Sequence, residues 1–314
     1  MSLRYKTIGI PRAFYFHSFP GLFETFFQLL GIETVISPPS DKHILQAATN
    51  VCEAEHCLPN KLFDGHVLSI ADRVDAVLVP RVISMTRGYI ACPRFGALPE
   101  ATRAWLRETP QVLTFDINET KEPLQRSLRR LAVKLGCSSR EGKFAATKAI
   151  EAMNHRLTDL RSTNISSGSE PEAPLFLVLG HSYTLHDKFI ATPILQKLRS
   201  MKVGFEVMSF DDSLAPPKGT PRDILWCTFA KMYNRLTSPG ASLYAGVIQL
   251  TTFNCGCDSM MMERFRRLCR KRDVPYMILM VDEHTGRAGI DTRLEAFVDS
   301  ISWREAAGRN GDQE

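Results

Sequence analysis

The chain has 314 residues, of which 44% are hydrophobic, and a formal net charge of +5, so it can bury a substantial core and is long enough for two domains. Its strongly apolar runs, such as PYMILMV, are far shorter than the roughly 20 residues of a membrane-spanning helix, and the opening stretch MSLRYKTIGIPRAF has no apolar signal region. We therefore expect a cytoplasmic protein with no membrane span, and no recognised motif accompanies the basic residues to suggest nucleic acid as a partner.

Short β-rich runs alternate with helical segments along the chain. The predicted strands are KTIGIP, ETVISP, DAVLVPR and QVLTFD in the first half, and PLFLVLG, GFEVMSF, GVIQL and VPYMILMVDE in the second. Three of the intervening segments carry apolar residues on one helical face: Leu58, Leu62, His66, Val67 and Ile70; Leu124, Leu128, Leu131 and Leu135; Ile190, Ile194, Leu198 and Met201. The alternation predicts an α/β fold of parallel sheets with helices on both faces.

The stretch RSTNISSGSEPEAP, at 161–174, is rich in Ser, Gly, Pro and Glu and is typical of a linker. It divides the chain into a predicted N-terminal α/β domain at 1–160, which includes bridging helices from about residue 121, and a C-terminal α/β domain at 175–305. The last residues, 306–314, form a predicted polar tail.

Eight cysteines in a reducing compartment point to metal binding or redox chemistry. Four of them, Cys57, Cys92, Cys255 and Cys257, lie where loops lead into helices. The dipole of a helix N-terminus favours a thiolate there. The other four sit within or at the ends of helical segments, where a small buried hydrophobe is the default interpretation: Cys52, Cys137, Cys227 and Cys269.

The spacing of these cysteines distinguishes between kinds of metal site. Structural zinc sites usually contain paired C-x₂₋₄-C knuckles, and none is present, whereas single cysteines from separate loops suit an iron–sulfur cluster. A zinc-stabilised ligand-binding protein remains an alternative. The chain has no phosphate loop, dinucleotide fingerprint or nucleophile elbow, so an ATP-driven step would need a partner.

Seven stretches in order resemble the 2-hydroxyacyl-CoA dehydratases and their activases, and most of all the acyl-CoA dehydratase activase-related branch (DUF2229). They are GIPRAFYFHSFPGLFETFFQLLGIETVISPPSDKHIL, CLPNKLFDGHV, VPRVIS, CPRFGALP, GHSYTLHDKFI, FNCGCDS and VDEHTGRAGIDTRLEAFVD. The resemblance implies two Rossmann-like (flavodoxin-like) domains. It also implies an ATP-hydrolysing activase as partner, a CoA thioester or other small-molecule substrate, and a homo- or heterodimer.

The same resemblance implies that Cys57, Cys92 and Cys255 ligate a [4Fe–4S] or related cluster between the domains. The chain has CGCD where the family pattern would be closer to CGPD, so Cys257 is a candidate fourth ligand that would close the open iron site.

Five neighbouring residues are further candidates. Arg81 would hydrogen-bond cluster sulfides or be a surface cation, Asp258 would contact the cofactor or cap its helix, and Tyr183 would line the cleft. His284, with Glu283 beside it, would donate a proton or be a structural histidine.

Two functional hypotheses follow. The first is an iron–sulfur protein of an ATP-coupled, low-potential reductive system that transfers electrons or reduces or dehydrates a substrate. The second is a scaffold or regulatory subunit without a cluster that pairs with an activase or dehydratase.

Overall fold

The computed structural model describes residues 3–106, 110–163, 165–168, 173–208 and 219–311. Within these residues the strands are β1 (Thr7–Ile10), β2 (Glu33–Ile36), β3 (Ala76–Leu78), β4 (Arg81–Ser84), β5 (Gln111–Leu113), β6 (Asp116–Asn118), β7 (Ile165–Ser166), β8 (Leu175–Leu179), β9 (Gly204–Val207), β10 (Gly246–Thr252) and β11 (Tyr276–Val281). The helices are α1 (Tyr15–Ser18), α2 (Leu22–Leu29), α3 (Lys42–Ala48), α4 (Leu58–Leu68), α5 (Pro93–Trp105), α6 (Leu124–Lys134), α7 (Ser139–Thr163), α8 (Ser182–Leu185), α9 (Lys188–Ser200), α10 (Cys227–Thr237), α11 (Gly256–Lys271) and α12 (Arg287–Gly311). None of these helices combines the length and apolarity needed to cross a membrane.

Two sheets organise the fold. The first has the strand order β2-β1-β3-β5 and is parallel throughout. The second has the order β11-β10-β8-β9-β7 and is parallel except for β7, which pairs antiparallel with β9. Helices cover both faces of such sheets, which explains why β10 is buried at every position. The predicted α/β class with parallel sheets is confirmed.

The predicted strand DAVLVPR is divided in two. Pro80 has no backbone N–H to donate, so the ladder of β3 stops before it. The chain then resumes as β4, which pairs with β6 in a two-stranded parallel sheet. This continuation carries the backbone from the first sheet toward the loop that holds Cys92.

Each of the two main sheets has its own hydrophobic core. Phenylalanines fill much of both, with Phe23 and Phe27 in the first core and Phe176, Phe205 and Phe229 in the second. The predicted apolar face Leu124, Leu128, Leu131 and Leu135 is buried in the first core, as expected for an amphipathic helix.

Helix α4 lies between the two cores. Leu58 and Leu62 pack into the core of the second sheet, whereas Phe63 and Val67 pack into the core of the first. Every residue from Leu58 to Val67 is therefore buried. The prediction of a single apolar face is wrong for this helix, because it has packing partners on opposite sides.

The predicted boundary segments differ in part from the structure. Helix α7 continues through Thr163, and two residues of the predicted linker form β7, whose backbone groups pair with the edge strand β9. The linker positions 169–172 lie outside the described residues. Helix α12 continues to Gly311, so the predicted tail at 306–314 is helical over its described part.

Candidate metal centre

Three of the predicted ligand cysteines occupy equivalent positions in the fold. Cys57, Cys92 and Cys255 are the N-cap residues of α4, α5 and α11, and none of them makes a side-chain capping hydrogen bond. Because the first amides of a helix have no intrahelical acceptor and carry the positive end of the dipole, each helix end acts to stabilise negative charge on its cysteine sulfur. Cys257 follows in the first turn of α11.

The three helix ends converge in the cleft between the sheets. The sulfurs of Cys92 and Cys257 are hydrogen-bonded to each other, and Cys57 lies close enough to interact electrostatically with both Cys92 and Cys255. All four thiols are free of disulfide bonds. Cys57 and Cys257 are buried, and Cys92 and Cys255 are partly buried. The structure thus places four thiols that are widely spaced in the sequence within range of pairwise interaction. Among the described residues, the three donor atoms that lie within 4.8 Å of one another are those of His181, Cys255 and Asp258.

Charge is distributed unevenly among these thiols. The hydrogen bond from Cys257 lowers the pKa of Cys92 to about 6, and the same bond raises the pKa of Cys257. Burial raises the pKa of Cys57 and of Cys255. In the absence of a metal the site therefore favours one thiolate among protonated thiols, and a bound cation would be needed to deprotonate the rest.

His181 joins the cysteines from the second sheet. It caps α8, directly after β8, and its imidazole nitrogen, the Cys255 sulfur and an Asp258 carboxylate oxygen all lie within 4.8 Å of one another. His181 Nε2 is 3.3 Å from Asp258 Oδ1, but the alignment is not that of a hydrogen bond, so this buried nitrogen has no hydrogen-bond partner among the described residues. A buried ring nitrogen without a hydrogen bond, at the wall of a site, is typical of a residue that coordinates a metal.

Asp258, predicted to contact the cofactor or cap its helix, belongs to a buried polar network. Its carboxylate accepts a hydrogen bond from Thr251 Oγ1 at 2.5 Å and a long one from Gln249 Nε2 at 3.4 Å. Burial acts to raise the pKa of Asp258, but the interactions with His181 and Thr251 together outweigh it and lower that pKa. An ionised carboxylate therefore stands beside Cys255.

Tyr183, predicted to line the cleft, packs against His181. Its ring stacks on the imidazole of His181 at 4.9 Å with an interplanar angle of 6°. Burial, followed by the nearby Cys255, Cys92 and Cys57, raises the pKa of the phenol. Tyr183 thus stays protonated and adds a neutral aromatic wall to the thiol cluster.

Arg94 is a further cation at the site, and it is absent from the residues predicted from the sequence. It lies in the first turn of α5, two residues after Cys92, and its charge lowers the pKa of both Cys57 and Cys92. Its position directly after the Cys-Pro pair is the signal that could have identified it. Arg94 therefore supplies positive charge close to the thiols.

Arg81, by contrast, forms its hydrogen bonds and ion pairs with residues of β6 and α5. Its guanidinium donates to the Gly96 carbonyl at 2.9 Å and forms ion pairs with Glu100 at 2.5 Å and Asp116 at 3.4 Å. These partners tie β4 to α5 and β6. They give Arg81 a structural role, and the predicted hydrogen bond to a cluster finds no support in this geometry.

His284 and Glu283 follow β11 and have polar contacts with residues other than the four cysteines. The His284 side chain is 86% exposed, and Glu283 forms an ion pair with the buried Lys61 of α4. The loop is held by Asp282, which accepts hydrogen bonds from the His284 backbone and from Thr285. An exposed ring in such a turn fits the structural alternative better than the proton donor in a closed cleft.

A narrow cavity of about 30 Å³ reaches the thiols from one side. Cys92, Cys257 and His181 line it, together with Trp226, whose buried indole nitrogen has no partner among the described residues. A neighbouring cavity of about 70 Å³ shares Ser182 with it and opens past Lys231. The two cavities also share Cys227, and only the smaller one is lined by Cys92 and Cys257.

The donor set fits a thiophilic metal group. Thiolates are soft ligands that select iron–sulfur clusters, zinc and copper(I), and a multi-iron cluster can accept thiols that are too far apart for one ion. The buried, unpartnered His181 nitrogen and the positive helix ends point to the same conclusion. The residues present are therefore suited to hold such a group.

Among solved structures, a similar chain is that of the SBP FpvC from P. aeruginosa in complex with Ni²⁺, which is 12% identical and has a TM-score of 0.27 over 96% of this chain and 98% of that chain. A similarity at this level carries no argument about fold or function. No curated protein matches the chain.

One family model does match. It is described as the CoA enzyme activase uncharacterised domain (DUF2229), and it aligns with residues 7–212, well over half of the 314 residues. The match includes Cys57 and Cys92 as well as His181 and Tyr183. The resemblance to the acyl-CoA dehydratase activase-related branch is thereby confirmed, and the chain belongs to the DUF2229 family of CoA enzyme activase-related proteins.

Proposed function

We propose that this protein holds a cysteine-ligated iron–sulfur cluster, of the [4Fe–4S] or a related type, and serves in electron transfer or substrate reduction within a dehydratase system. The ligands would be Cys57, Cys92 and Cys255, with Cys257 as the fourth. Such a group, when bound, supplies one-electron chemistry at low potential. Membership of the activase-related family supports the proposed association with a dehydratase system.

The observation that carries this proposal is a cysteine at each of three helix N-termini, with thiols that interact electrostatically in pairs. Aligned amides at each end stabilise the negative charge that a thiolate-ligated group brings. Arg94 adds a full positive charge from the first turn of α5. Tyr183 and Trp226 limit the access of water from the cavity side.

An exposed apolar surface beside the cysteines supports the proposed need for a partner. Ile90, Leu225, Phe253 and Met260 are all at least 46% exposed, and the Ile90 backbone is hydrogen-bonded to Leu225. Ile90 also lines the cavity that contains Cys92 and Cys257, while Phe253 and Met260 flank Cys255 in the sequence. Apolar residues grouped in this way are typical of protein–protein contact. We propose that an ATP-hydrolysing activase docks here.

The first experiment is anaerobic reconstitution with iron and sulfide, followed by counts of iron and acid-labile sulfide per chain and by visible and paramagnetic-resonance spectra. We expect about four irons in the wild type and a loss of most of them in Cys57→Ala, Cys92→Ala and Cys255→Ala. Cys257→Ala decides whether the fourth thiol is a ligand, since a four-iron cluster can convert to three irons when one ligand is missing.

The matched control is Cys137→Ala. Cys137 is a partly buried thiol that follows α6 in the first core and does not line the cleft. Its substitution should leave the iron content unchanged. A wild type that takes up no iron, or a Cys137→Ala variant that loses as much iron as Cys57→Ala, would contradict the proposal and favour the scaffold hypothesis.

A second candidate is a single metal ion, such as zinc, on His181, Cys255 and Asp258. The 4.8 Å spacing of their ligand atoms favours it, because one ion needs closely grouped donors. In that case we expect about one metal per chain that is lost in His181→Ala and Asp258→Asn but retained in Cys92→Ala. Elemental analysis of these three variants separates the two candidates.

A further inference from the structure

A second cavity, of about 230 Å³, lies in the cleft away from the four cysteines. Arg12 and His17 reach it from the chain that follows β1, and Ser40 from the loop after β2. Asp187 and Lys188 reach it from the second sheet, at the start of α9. Residues from both sheets thus meet beyond the carboxyl ends of parallel strands, where open α/β folds bind ligands.

One wall of this cavity is a directed chain of hydrogen bonds. The Arg12 backbone N–H donates to Ser37 Oγ at 2.8 Å, and that hydroxyl lies 2.9 Å from His66 Nδ1. His66 Nε2 lies 2.9 Å from Ser40 Oγ, which donates to Asp187 Oδ2 at 2.5 Å. Because Ser40 donates its only proton to Asp187, His66 must donate from Nε2 and accept at Nδ1. The chain is satisfied by a neutral imidazole, and it ends at the Asp187 carboxylate.

Asp187 is fixed at this end of the chain. Its other oxygen, Oδ1, accepts from the Phe189 backbone N–H at 2.8 Å and so caps α9. The carboxylate is almost completely buried. Burial raises the pKa of Asp187, while the hydrogen bonds from Ser40 and the Phe189 backbone and the charge of Arg12 act to lower it. When ionised, the carboxylate keeps accepting capacity, because it has about four lone-pair positions.

His17 faces the same carboxylate without bonding to it. Its Nε2 is 3.9 Å from Asp187 Oδ2, which is too far for a hydrogen bond, and this buried nitrogen has no partner among the described residues. The side chain is 9% exposed. Burial lowers the pKa of His17 to about 3, so the ring is neutral and the two groups are not an ion pair.

The proton on a neutral imidazole lies on one of its two nitrogens. The Arg12 backbone next to the ring acts to raise the pKa of His17, as a carbonyl that accepts from Nδ1 would, whereas Nε2 has no hydrogen-bond partner among the described residues. With the proton on Nδ1, Nε2 is an acceptor. The cavity wall then presents two acceptors, His17 Nε2 and Asp187 Oδ2, separated by 3.9 Å.

An ammonium group satisfies both acceptors at once. It has three donors, and one placed between the two atoms reaches each at ordinary hydrogen-bond distance. Its positive charge also complements Asp187 in a buried setting, where charge-assisted bonds are strong. A hydroxyl has only one proton and would satisfy one of the two.

The same cavity also contains positively charged side chains that can bind an anionic group of a ligand. The Arg12 side chain is held by Nε, which donates to the Ser37 carbonyl at 3.1 Å, and by its position over the Phe16 ring. This leaves its terminal nitrogens for a planar anion such as a carboxylate. Lys188 adds a second cation.

We propose that this cavity binds a free α-amino acid, whose ammonium group lies between His17 and Asp187 and whose carboxylate meets Arg12. A buried carboxylate and a guanidinium that line the same cavity match the two charges of a zwitterion, and the volume suits a small molecule. The site is separate from the metal centre and does not depend on it.

The test is isothermal titration calorimetry of the full chain with glycine, L-alanine, L-serine and L-leucine. Propionate, which lacks the ammonium group, and ethylamine, which lacks the carboxylate, are the matched probes. We expect at least one amino acid to bind about tenfold or more tightly than either probe. Arg12→Gln and Asp187→Asn should each weaken that binding by about tenfold or more.

Two variants control for indirect effects. Lys42→Gln removes an exposed cation on α3, outside the cavity, and should bind like the wild type. Cys137→Ala, at a partly buried thiol that lines neither this cavity nor the thiol site, should also bind like the wild type. Circular dichroism establishes that each variant is folded; if Asp187→Asn is not, Arg12→Gln alone decides.

Three results would overturn the proposal. They are no binding heat from any of the amino acids up to about 10 mM, equal binding of propionate or ethylamine, and wild-type binding by the folded cavity variants.

Discussion

Asp64 is a buried acid on α4 whose charge is poorly compensated. Asn60 Nδ2 donates to its carboxylate at 3.1 Å, but burial outweighs this bond and raises the pKa of Asp64 to about 7. Below about pH 4 the group is protonated in both the folded and the unfolded chain. As the pH rises toward 7, only the unfolded chain releases the proton, so the free energy of unfolding falls.

We therefore expect Asp64→Asn to gain stability relative to the wild type as the pH rises. In the metal-free protein the difference should grow between about pH 4 and pH 8, with an upper limit of about 4 kcal/mol. Urea unfolding at several pH values measures it. Asp72→Asn, at an exposed position, should show no such growth, and a gap for Asp64→Asn that is constant with pH would contradict the argument.

At the residue scale, the sequence indicates some of the site and not the rest. The cysteines are recognisable because a thiol at the start of a helix lies where the dipole stabilises a thiolate. His181 is not, because a histidine directly after a strand has no signature until its neighbours are known. For His284 the sequence is misleading. Its position after a buried strand suggests a functional histidine, but its side chain is exposed to solvent.

Helix packing depends on two glycines in opposite ways. A Cβ on Gly65 of α4 would lie 1.9 Å from the Ile44 carbonyl oxygen of α3, whereas a Cβ on Gly96 of α5 would meet nothing within 4 Å. The first glycine allows two helix backbones to approach closely. The second only adds flexibility to the unfolded chain.

The same substitution should therefore have opposite effects in the two helices. Gly65→Ala should destabilise the fold by about 1–3 kcal/mol or more, because the backbone of α3 cannot give way easily. Gly96→Ala should stabilise it by about 0.5–1 kcal/mol. Denaturant unfolding of both variants measures the two effects, and the argument fails if Gly65→Ala is as stable as Gly96→Ala.

At the element scale, the existence of a strand is easier to predict than the residues at which it begins and ends. Continuous apolar runs such as GVIQL identify buried parallel strands, and β10 follows that pattern with two further threonines at its end. The break between β3 and β4 and the short β7 escape prediction, since both depend on pairing partners far along the chain. The double-sided burial of α4 likewise depends on where the second sheet packs.

At the scale of the whole molecule, a chain of hydrogen bonds through His66 connects the two sheets. It runs from Ser37 and Ser40, after β2 of the first sheet, to Asp187, which follows β8 of the second. Burial lowers the pKa of His66 to about 4. Between about pH 6.5 and pH 4 the unfolded chain binds a proton that the folded chain does not. Stability contributed by this histidine is thus present above pH 6.5 and is lost as the pH falls.

We expect His66→Asn to flatten the acid side of the stability curve by up to about 3 kcal/mol between pH 6.5 and 4, whatever its effect at neutral pH. Chemical unfolding across that range measures the slope. His43→Asn, at an exposed site on α3, is the control and should keep the wild-type slope. An unchanged slope in His66→Asn would show that the imidazole is accessible to protons in the folded chain.

Because α4 lies between the two cores, the polypeptide cannot be cut between the two sheets into fragments that each fold independently. Because this helix has no solvent-facing side, it completes its packing only when both sheets are present. A fragment that ends before β8 would leave Leu58 and Leu62 uncovered, and it would tend to aggregate rather than fold independently. During synthesis on the ribosome the first half of the chain emerges before the second. Helix α4 therefore becomes fully buried only after the second sheet has been synthesised and has folded.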